Sequence, residues 1–290
     1  MTEIEILDRL RRLPLHPGAL DLRDDAARIG DLVLTSDLMV ETVHFLADDP
    51  AGDVAWKLIA VNLSDLAAKG ATPEGVLLGM PLGDPAWDAA FLDGFDAALR
   101  ALGCTLLGGD TVSGGRTFAL TAIGRAATAP VRSGAQAGDG LWVTGTIGDA
   151  GAGLAIARGA DGPTALLERY RRPTPRLAEG QRLARHVSAM MDVSDGLLID
   201  ATRMAKESGC GVTIDLARVP LSDAYSAWSG DRVAAAIAGD DYELLFALPA
   251  NEHPAVSATR IGQFTQDAGL TLTDAGTPIP LPEKLGWLHA

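Results

Sequence analysis

Residues 189–198, AMMDVSDGLL, place Asp192 and Asp195 between a short apolar run and a second apolar stretch with helical spacing. Aspartate is unfavourable in helices and strands because its carboxylate competes for nearby backbone groups. Carboxylates inside such a run therefore cost stability unless something compensates them. The pattern predicts a strand that ends at these acids and leads into a helix from about Gly196 to Glu207.

The same context recurs along the chain, with acids at the end of a predicted strand or the start of a predicted helix. These further acids are Asp24 and Asp25 in RDDAA, Asp37 in TSD, Asp65 in NLSDLAAKGA, Asp110 in GGDT, and Asp240, Asp241 and Glu243 in AGDDYEL. Converging carboxylates repel one another, and a divalent cation removes that penalty. Oxygen ligands suit Mg²⁺, which binds through a few carboxylates plus substrate phosphates. For a single aspartate a cap or turn is the better interpretation, and we assign Asp53 (as an N-cap) and Asp139 in this way.

Composition limits the possible functions. The chain has 290 residues, which suggests about two domains. Its 38 acidic against 24 basic residues give a formal charge of −14, which disfavours nucleic acid and anionic membranes as partners. The acid surplus by itself is equally compatible with simple solubility. We find no apolar run of membrane-spanning length and no signal-peptide pattern, and we expect a cytoplasmic protein.

Strand and helix patterns alternate in two blocks, which predicts an α+β (α/β) fold of two domains. The turn-rich segment 127–139 is the best candidate linker, so we place the domains at residues 1–130 and 131–290. Helices are expected near 5–13, 54–68, 86–102, 148–158 and 175–187. Two strands near 104–110 and 117–126 are expected to be joined by a turn at Gly114 and Gly115.

Two glycine-containing segments are compatible with phosphate binding. The GGDT segment lets the backbone approach a ligand, and Ser194-Asp195-Gly196 precedes a helix whose first N–H groups could bind a phosphate. Ordinary turns explain either segment alone. The sequence contains no Walker A loop, no protein-kinase signature and no Rossmann fingerprint. Arg132 is suited to pair with a phosphate, although a surface ion pair explains it equally well.

Taken in order, several segments resemble the thiamine-monophosphate kinase family, within the superfamily that includes aminoimidazole-ribonucleotide synthetase. Each motif is weak alone, but the ordered set covers nearly the whole chain and is specific. The segments are DDAA (24–27), TSDLMVETVHF (35–45), AVNLSDLAAKGATP (60–73), LLGGDT (106–111), RSGAQAGD (132–139), VTGTIGDAGAGLAI (143–156), RRPTPR (171–176), DVSDGL (192–197) and GDDYELLF (239–246).

The resemblance implies an N-terminal domain that pairs with its mate in a homodimer to form a shared β-barrel, plus a C-terminal α+β domain. It implies transfer of the γ-phosphoryl group of ATP to thiamine monophosphate, with several Mg²⁺ ions. The implied catalytic residues are Asp110 and Asp195. The residues implied to bind metal are Asp25, Thr35, Ser36, Asp37, Asp65, Asp110, Asp192 and Asp195; those implied to bind ATP are Gly109, Asp110, Arg132 and Ser194; those implied to contact the substrate are His44, Asp240 and Trp287.

Three features depart from the family pattern. Leu22-Arg23 stands where Gly-Ile-Gly is usual, Asp240 stands where Glu is common, and the segment LGWLHA around Trp287 matches only loosely. Two alternatives remain open at this point. One is another ATP-dependent member of the superfamily, such as a purine-biosynthesis synthetase, and the other is a non-catalytic dimeric binding module.

Overall fold

The computed structural model describes residues 2–288 and contains two mixed β-sheets with helices against them. The predicted two-domain α+β class is thereby confirmed. The helices are α1 Glu3–Leu10, α2 Ala51–Ala68, α3 Pro85–Leu102, α4 Asp149–Ala157, α5 Thr164–Arg171, α6 Leu177–Leu183, α7 Leu197–Glu207, α8 Asp223–Trp228 and α9 Arg232–Ile237. The strands are β1 Ala27–Ile29, β2 Leu32–Val40, β3 Thr72–Leu82, β4 Leu106–Ser113, β5 Thr117–Arg125, β6 Gly140–Val143, β7 Ala189–Asp192, β8 Gly211–Asp215, β9 Leu244–Leu248, β10 Thr259–Thr265, β11 Gly269–Asp274 and β12 Thr277–Ile279.

The N-terminal sheet has the strand order β1-β2-β5-β3-β4. Helices α2 and α3 cover it, and stacked rings join them to the sheet, with Phe91 and Phe118 4.5 Å apart between centroids. Buried and more exposed side chains alternate along β2 and β5, so the face of the sheet opposite the helices is partly exposed. Helix α2 is buried along most of its length because the sheet, α3 and α6 all contact it.

Two local predictions in this domain were wrong. Asp53 is not the N-cap, since α2 begins at Ala51 after Pro50; Asp53 lies in the first turn and accepts a hydrogen bond from Nε of Arg172 at 2.5 Å. Strands β4 and β5 do not form a hairpin, because β3 lies between them and pairs in parallel with β4. Turn residues between two strands predict a reversal of the chain, but they do not specify which strand becomes the neighbour.

The C-terminal sheet has the strand order β12-β11-β8-β10-β6-β9-β7, so β7 is its edge strand. This edge meets α2 of the N-terminal half, where Ala67 and Ala68 pack against Met190 and Phe246. Because α2 and β7 are packed together, acids near the end of each element are brought to one place. No helix among residues 2–288 has the length and apolar character needed to span a membrane.

Candidate active site

A cavity of about 960 Å³ opens where α2 meets the end of β7. Residues from both halves of the chain line it, including α1 and the segment that follows it. Among the residues implied by the sequence, those lining the cavity are Asp25, Asp37, His44, Asp65, Arg132, Asp192, Ser194, Asp195, Asp240 and Trp287.

Three carboxylates converge at the base of the cavity. One oxygen from each of Asp25, Asp65 and Asp192 lies within 4.8 Å of the others. Asp25 precedes β1, Asp65 projects from α2, and Asp192 ends β7, so residues far apart in sequence form one carboxylate cluster. We use "carboxylate cluster" below for these three residues.

Hydrogen-bond donors surround the carboxylate cluster. Asp25 is paired with Arg132 and with Lys69, whose Nζ lies 2.6 Å from Oδ2 of Asp25. The hydroxyl of Thr35 donates to Asp65. Ser64 Oγ donates to Asp192 Oδ2 at 2.5 Å. The two cations offset part of the negative charge on one side of the cluster and leave the other two carboxylates to repel each other.

The pKa values of the acids show this asymmetry. Burial raises the pKa of Asp25, but the charges of Arg132 and Lys69 outweigh burial and hold it at about 2. Burial, followed by the charge of Asp25, raises the pKa of Asp192 to about 8. Burial also raises the pKa of Asp65 well above its ordinary value, with further contributions from Asp37, Asp192 and Asp25. The last two carboxyls are therefore unfavourable as anions without a nearby positive charge.

The donor set fits a hard divalent cation. All three donors are carboxylate oxygens, the ligand type that Mg²⁺ prefers. Oδ2 of Asp25 is buried and lies 2.6 Å from the ammonium group of Lys69. A cation bound between the three acids would favour the ionised forms of Asp65 and Asp192.

Strand β2 divides the TSD segment between the two faces of its sheet. Thr35 bonds to Asp65, and Asp37 lines the cavity. Burial, then the charges of Asp25 and Asp195, raise the pKa of Asp37 to about 6. Ser36 is exposed and bonds instead to Leu120 O at 3.2 Å and Thr121 Oγ1 at 3.1 Å. Successive side chains of a strand point to opposite faces, which separates Ser36 from its two neighbours.

Gly109 and Asp110 lie on β4 and are not among the residues lining the cavity. Asp110 is exposed, and its Oδ1 accepts a hydrogen bond from the backbone of Thr111 at 2.9 Å. A Cβ at Gly109 would lie 1.9 Å from Leu78 O, so glycine is needed there for β4 to pair with β3. Within one chain, the structure does not bring the GGDT segment to the carboxylate cluster.

The segment before α7 differs from the sequence prediction. The backbone N–H groups of Ser194, Asp195 and Gly196 all donate to Oδ2 of Asp200, at 3.0–3.2 Å. These three groups are therefore occupied by a side chain of the protein rather than left for a phosphate. The Asp195 carboxylate lines the cavity and pairs with Arg203.

The residues implied to contact substrate also line this cavity. Lys57 Nζ lies 2.7 Å from Asp240 Oδ2 and 3.2 Å from the carbonyl oxygen of His44. Tyr242 donates to Asp240 Oδ1 at 3.0 Å. Trp287 is 54% exposed at the rim, and its backbone N–H donates to Asp195 O at 2.8 Å.

Sequence reasoning missed Lys57, Lys69 and Asp200 as site residues. Each is buried and carries a charge. The sequence does contain a signal for the two lysines, since Lys57 and Lys69 are each a single cation in an apolar helix pattern. A buried charge requires a partner, and this requirement identifies such residues as neighbours of the acids.

Comparisons with known proteins agree with this architecture. Residues 23–126 match the family of AIR synthase related proteins in its N-terminal domain, and residues 136–275 match the C-terminal domain. Thiamine-monophosphate kinase of Caulobacter vibrioides is 42% identical, over 99% of this chain and 91% of its own. The enzyme of the same name from Escherichia coli K12 is 40% identical, over 97% and 95%. The structure of AaThiL complexed with AMPPCP and TMP superposes with a TM-score of 0.89 at 30% identity, covering 100% of this chain and 97% of the other.

The chain therefore belongs to the AIR synthase related proteins, whose two domains it contains in order. Within that group, identity of about 40% over nearly the full length places it in the thiamine-monophosphate kinase family.

Proposed function

We propose that this chain transfers the γ-phosphoryl group of ATP to the phosphate of thiamine monophosphate, giving thiamine diphosphate and ADP. The main support is the buried carboxylate cluster at the base of a two-domain cavity. The names of the relatives and the ligands of AaThiL point to the same two reactants. They favour this kinase over a purine-biosynthesis synthetase and over a non-catalytic binding module.

Mg²⁺ is the cation we propose for the carboxylate cluster. Asp25, Asp65 and Asp192 would hold it, with Asp37 and Thr35 adjacent, and Asp195 also lines the cavity. When bound, it supplies charge neutralisation for two polyanionic reactants. Arg132 adds a fixed positive charge beside Asp25, where a phosphate oxygen could be bound by the guanidinium.

The protein's own contribution is positioning rather than covalent chemistry. Phosphoryl transfer requires the attacking and leaving oxygens to lie in line, and an already ionised phosphate needs no strong general base. We propose His44, Asp240 and Trp287 as contacts of the thiamine part. All three line the cavity: Asp240 and the His44 carbonyl contact Lys57, and Trp287 donates its backbone N–H to Asp195 O.

Homodimerisation would explain the residues that lie outside the cavity of one chain. β4 is the last strand of its sheet within residues 2–288, and Leu106, Leu107 and Val112 on it are 53–63% exposed. An exposed apolar edge strand requires a cover. We propose that a second copy covers β4, as in the predicted shared barrel, and that Gly109, Asp110 and Ser36 act in that assembly. We also propose that the two domains span residues 1–130 and 131–290 and that the protein is cytoplasmic.

One experiment tests the central proposal. Purified protein is incubated with ATP and thiamine monophosphate, with Mg²⁺ or with EDTA, and thiamine diphosphate is measured by chromatography. We expect product only with Mg²⁺. Formylglycinamidine ribonucleotide replaces thiamine monophosphate in a parallel reaction, and ATP consumption there but not with thiamine monophosphate would contradict the proposal.

A further inference from the structure

The segment between α1 and the first aspartate pair has an unusual backbone. Leu20, Asp21 and Leu22 have φ of +50°, +54° and +54°, which is the left-handed region. L-residues avoid this region because Cβ crowds the following carbonyl oxygen, and glycine usually takes such positions. None of these three residues is glycine, so the surrounding structure must hold this backbone in place.

The Arg11 side chain makes two hydrogen bonds to this backbone, which is also closed by a bond from Arg23 N–H to Leu20 O. Arg11 is the C-cap of α1, and its Nε donates to Asp21 O at 3.0 Å while its Nη2 donates to Leu22 O at 3.2 Å. Nη1 donates to Asp8 Oδ1 at 3.2 Å, which fixes the plane of the guanidinium. A guanidinium has a rigid fork of donors that matches two adjacent acceptors, a geometry that lysine cannot reproduce. Two consecutive carbonyls of the left-handed turn are thus bound by one side chain.

The turn determines where the next acids lie. Only two residues separate Leu22 from Asp25, a member of the carboxylate cluster. Asp24 pairs with Lys69, so both acids depend on the path of the chain as it leaves the turn. Arg11 and Leu22 also line the cavity, which places the turn in its wall.

We propose that Arg11 is a positioning residue for the carboxylate cluster: it holds the turn at residues 20–22 in the left-handed conformation and thereby sets the place of Asp25. Glycine at residues 20–22 would adopt this conformation without such support, and Arg11 supplies the support that the non-glycine residues need. The inference rests on the proposed function, because it assigns the positioned carboxylate to Mg²⁺.

The first test measures Mg²⁺ binding directly. Isothermal titration of the full-length protein with MgCl₂ is compared for wild type, Arg11→Met and Arg9→Met, which removes an exposed charge from the same helix. We expect Arg11→Met to weaken Mg²⁺ binding roughly tenfold, the usual effect of losing a residue that orients a metal ligand. Arg9→Met should bind as wild type. Equal affinity in wild type and Arg11→Met overturns the proposal.

The second test asks whether backbone handedness is the cause. In the Arg11→Met background, Asp21→Gly removes the left-handed penalty at an exposed position, while Asp21→Ala keeps it. We expect Asp21→Gly to restore most of the lost Mg²⁺ affinity and Asp21→Ala to restore none. Equal restoration by both would contradict the argument, because loss of the Asp21 charge would then explain the effect.

Kinetics separate this inference from the proposed function. In Arg11→Met we expect the Mg²⁺ concentration for half-maximal rate to rise about tenfold, while kcat at saturating Mg²⁺ stays within about twofold of wild type. A kcat lowered at every Mg²⁺ concentration overturns the positioning role. If wild type makes no thiamine diphosphate, the proposed function fails, yet the titration of the Arg11 and Asp21 variants still tests the inference.

Discussion

Asp192→Asn gives a sharp test of the carboxylate cluster because it has opposite effects with and without metal. The side chain is 3% exposed, and asparagine keeps an oxygen that can accept from Ser64. The substitution removes one charge from the cluster and changes its volume little. Without metal we expect the variant to be more stable than wild type at pH 7, since it removes a carboxyl that is unfavourable as an anion.

The magnitude follows from the pKa of Asp192, which is raised from 3.8 to about 8 in the folded protein. Between these values the folded state retains a proton that the unfolded state releases, so wild-type stability without metal falls as pH rises from about 4 to about 8. At pH 7 this sets an upper limit of roughly 4 kcal/mol on the penalty. Water entry and relaxation of neighbours reduce it, and we expect a gain of about 1–3 kcal/mol for Asp192→Asn.

Bound Mg²⁺ is expected to reverse the order of stability between wild type and Asp192→Asn. Mg²⁺ at about 100 times its Kd stabilises wild type by about 2.7 kcal/mol, or a Tm increase of roughly 4–5 °C for a chain of this size. Asp192→Asn should show little of this increase. Urea unfolding and thermal scans from pH 4.5 to 8.5, in EDTA and in MgCl₂, measure both effects. Asp96→Asn, at an exposed pair with Arg100 on α3, serves as the control. The reasoning fails if Asp192→Asn is less stable than wild type in EDTA at pH 7, or if its advantage is unchanged at pH 4.5.

Three further substitutions test other parts of the site. Asp110→Asn should lower kcat by about 100-fold or more while Tm stays near wild type, because we expect this carboxylate to stabilise the charge that develops in the transition state. A near-normal kcat would show that Asp110 is not part of the site. Lys57→Met should raise the KM for thiamine monophosphate about tenfold or more and leave the KM for ATP unchanged, because Asp240 and the His44 carbonyl lose a charged donor. Equal increases in the KM values for thiamine monophosphate and ATP would contradict the assignment of Lys57 to the thiamine side of the site. Glu243→Gln should lower the free energy of unfolding by roughly 3 kcal/mol in urea titrations, since this fully buried carboxylate binds both Arg169 and Arg176; a change within 0.5 kcal/mol would show that the pairs do not stabilise the fold.

Sequence patterns predicted the elements that carry long apolar or alternating runs. Helices α2 and α3 and strand β5 have such runs, and their bounds fall close to the predicted ones. Some short elements were missed: α5 buries only Leu166 and Tyr170, which gives too little periodicity over eight residues. Strands β10 to β12 lie in a polar stretch whose alternation is weak. The β4–β5 error has another cause, because strand order depends on packing between distant segments, and local turn chemistry does not encode it.

The site shows the same division between local signal and tertiary contact. An aspartate at the end of a predicted strand or the start of a predicted helix is visible in sequence, and Asp25, Asp65 and Asp192 were all selected in this way. The sequence could not show which groups pair with each of these carboxylates in the folded protein. Asp25 is held ionised by Lys69 and Arg132, from two different segments, whereas Asp192 has only a serine hydroxyl among its described hydrogen-bond partners. The local rule therefore finds the candidate ligands, but the balance of charges between them, which decides whether a cation is needed, exists only after α2 and β7 have packed together.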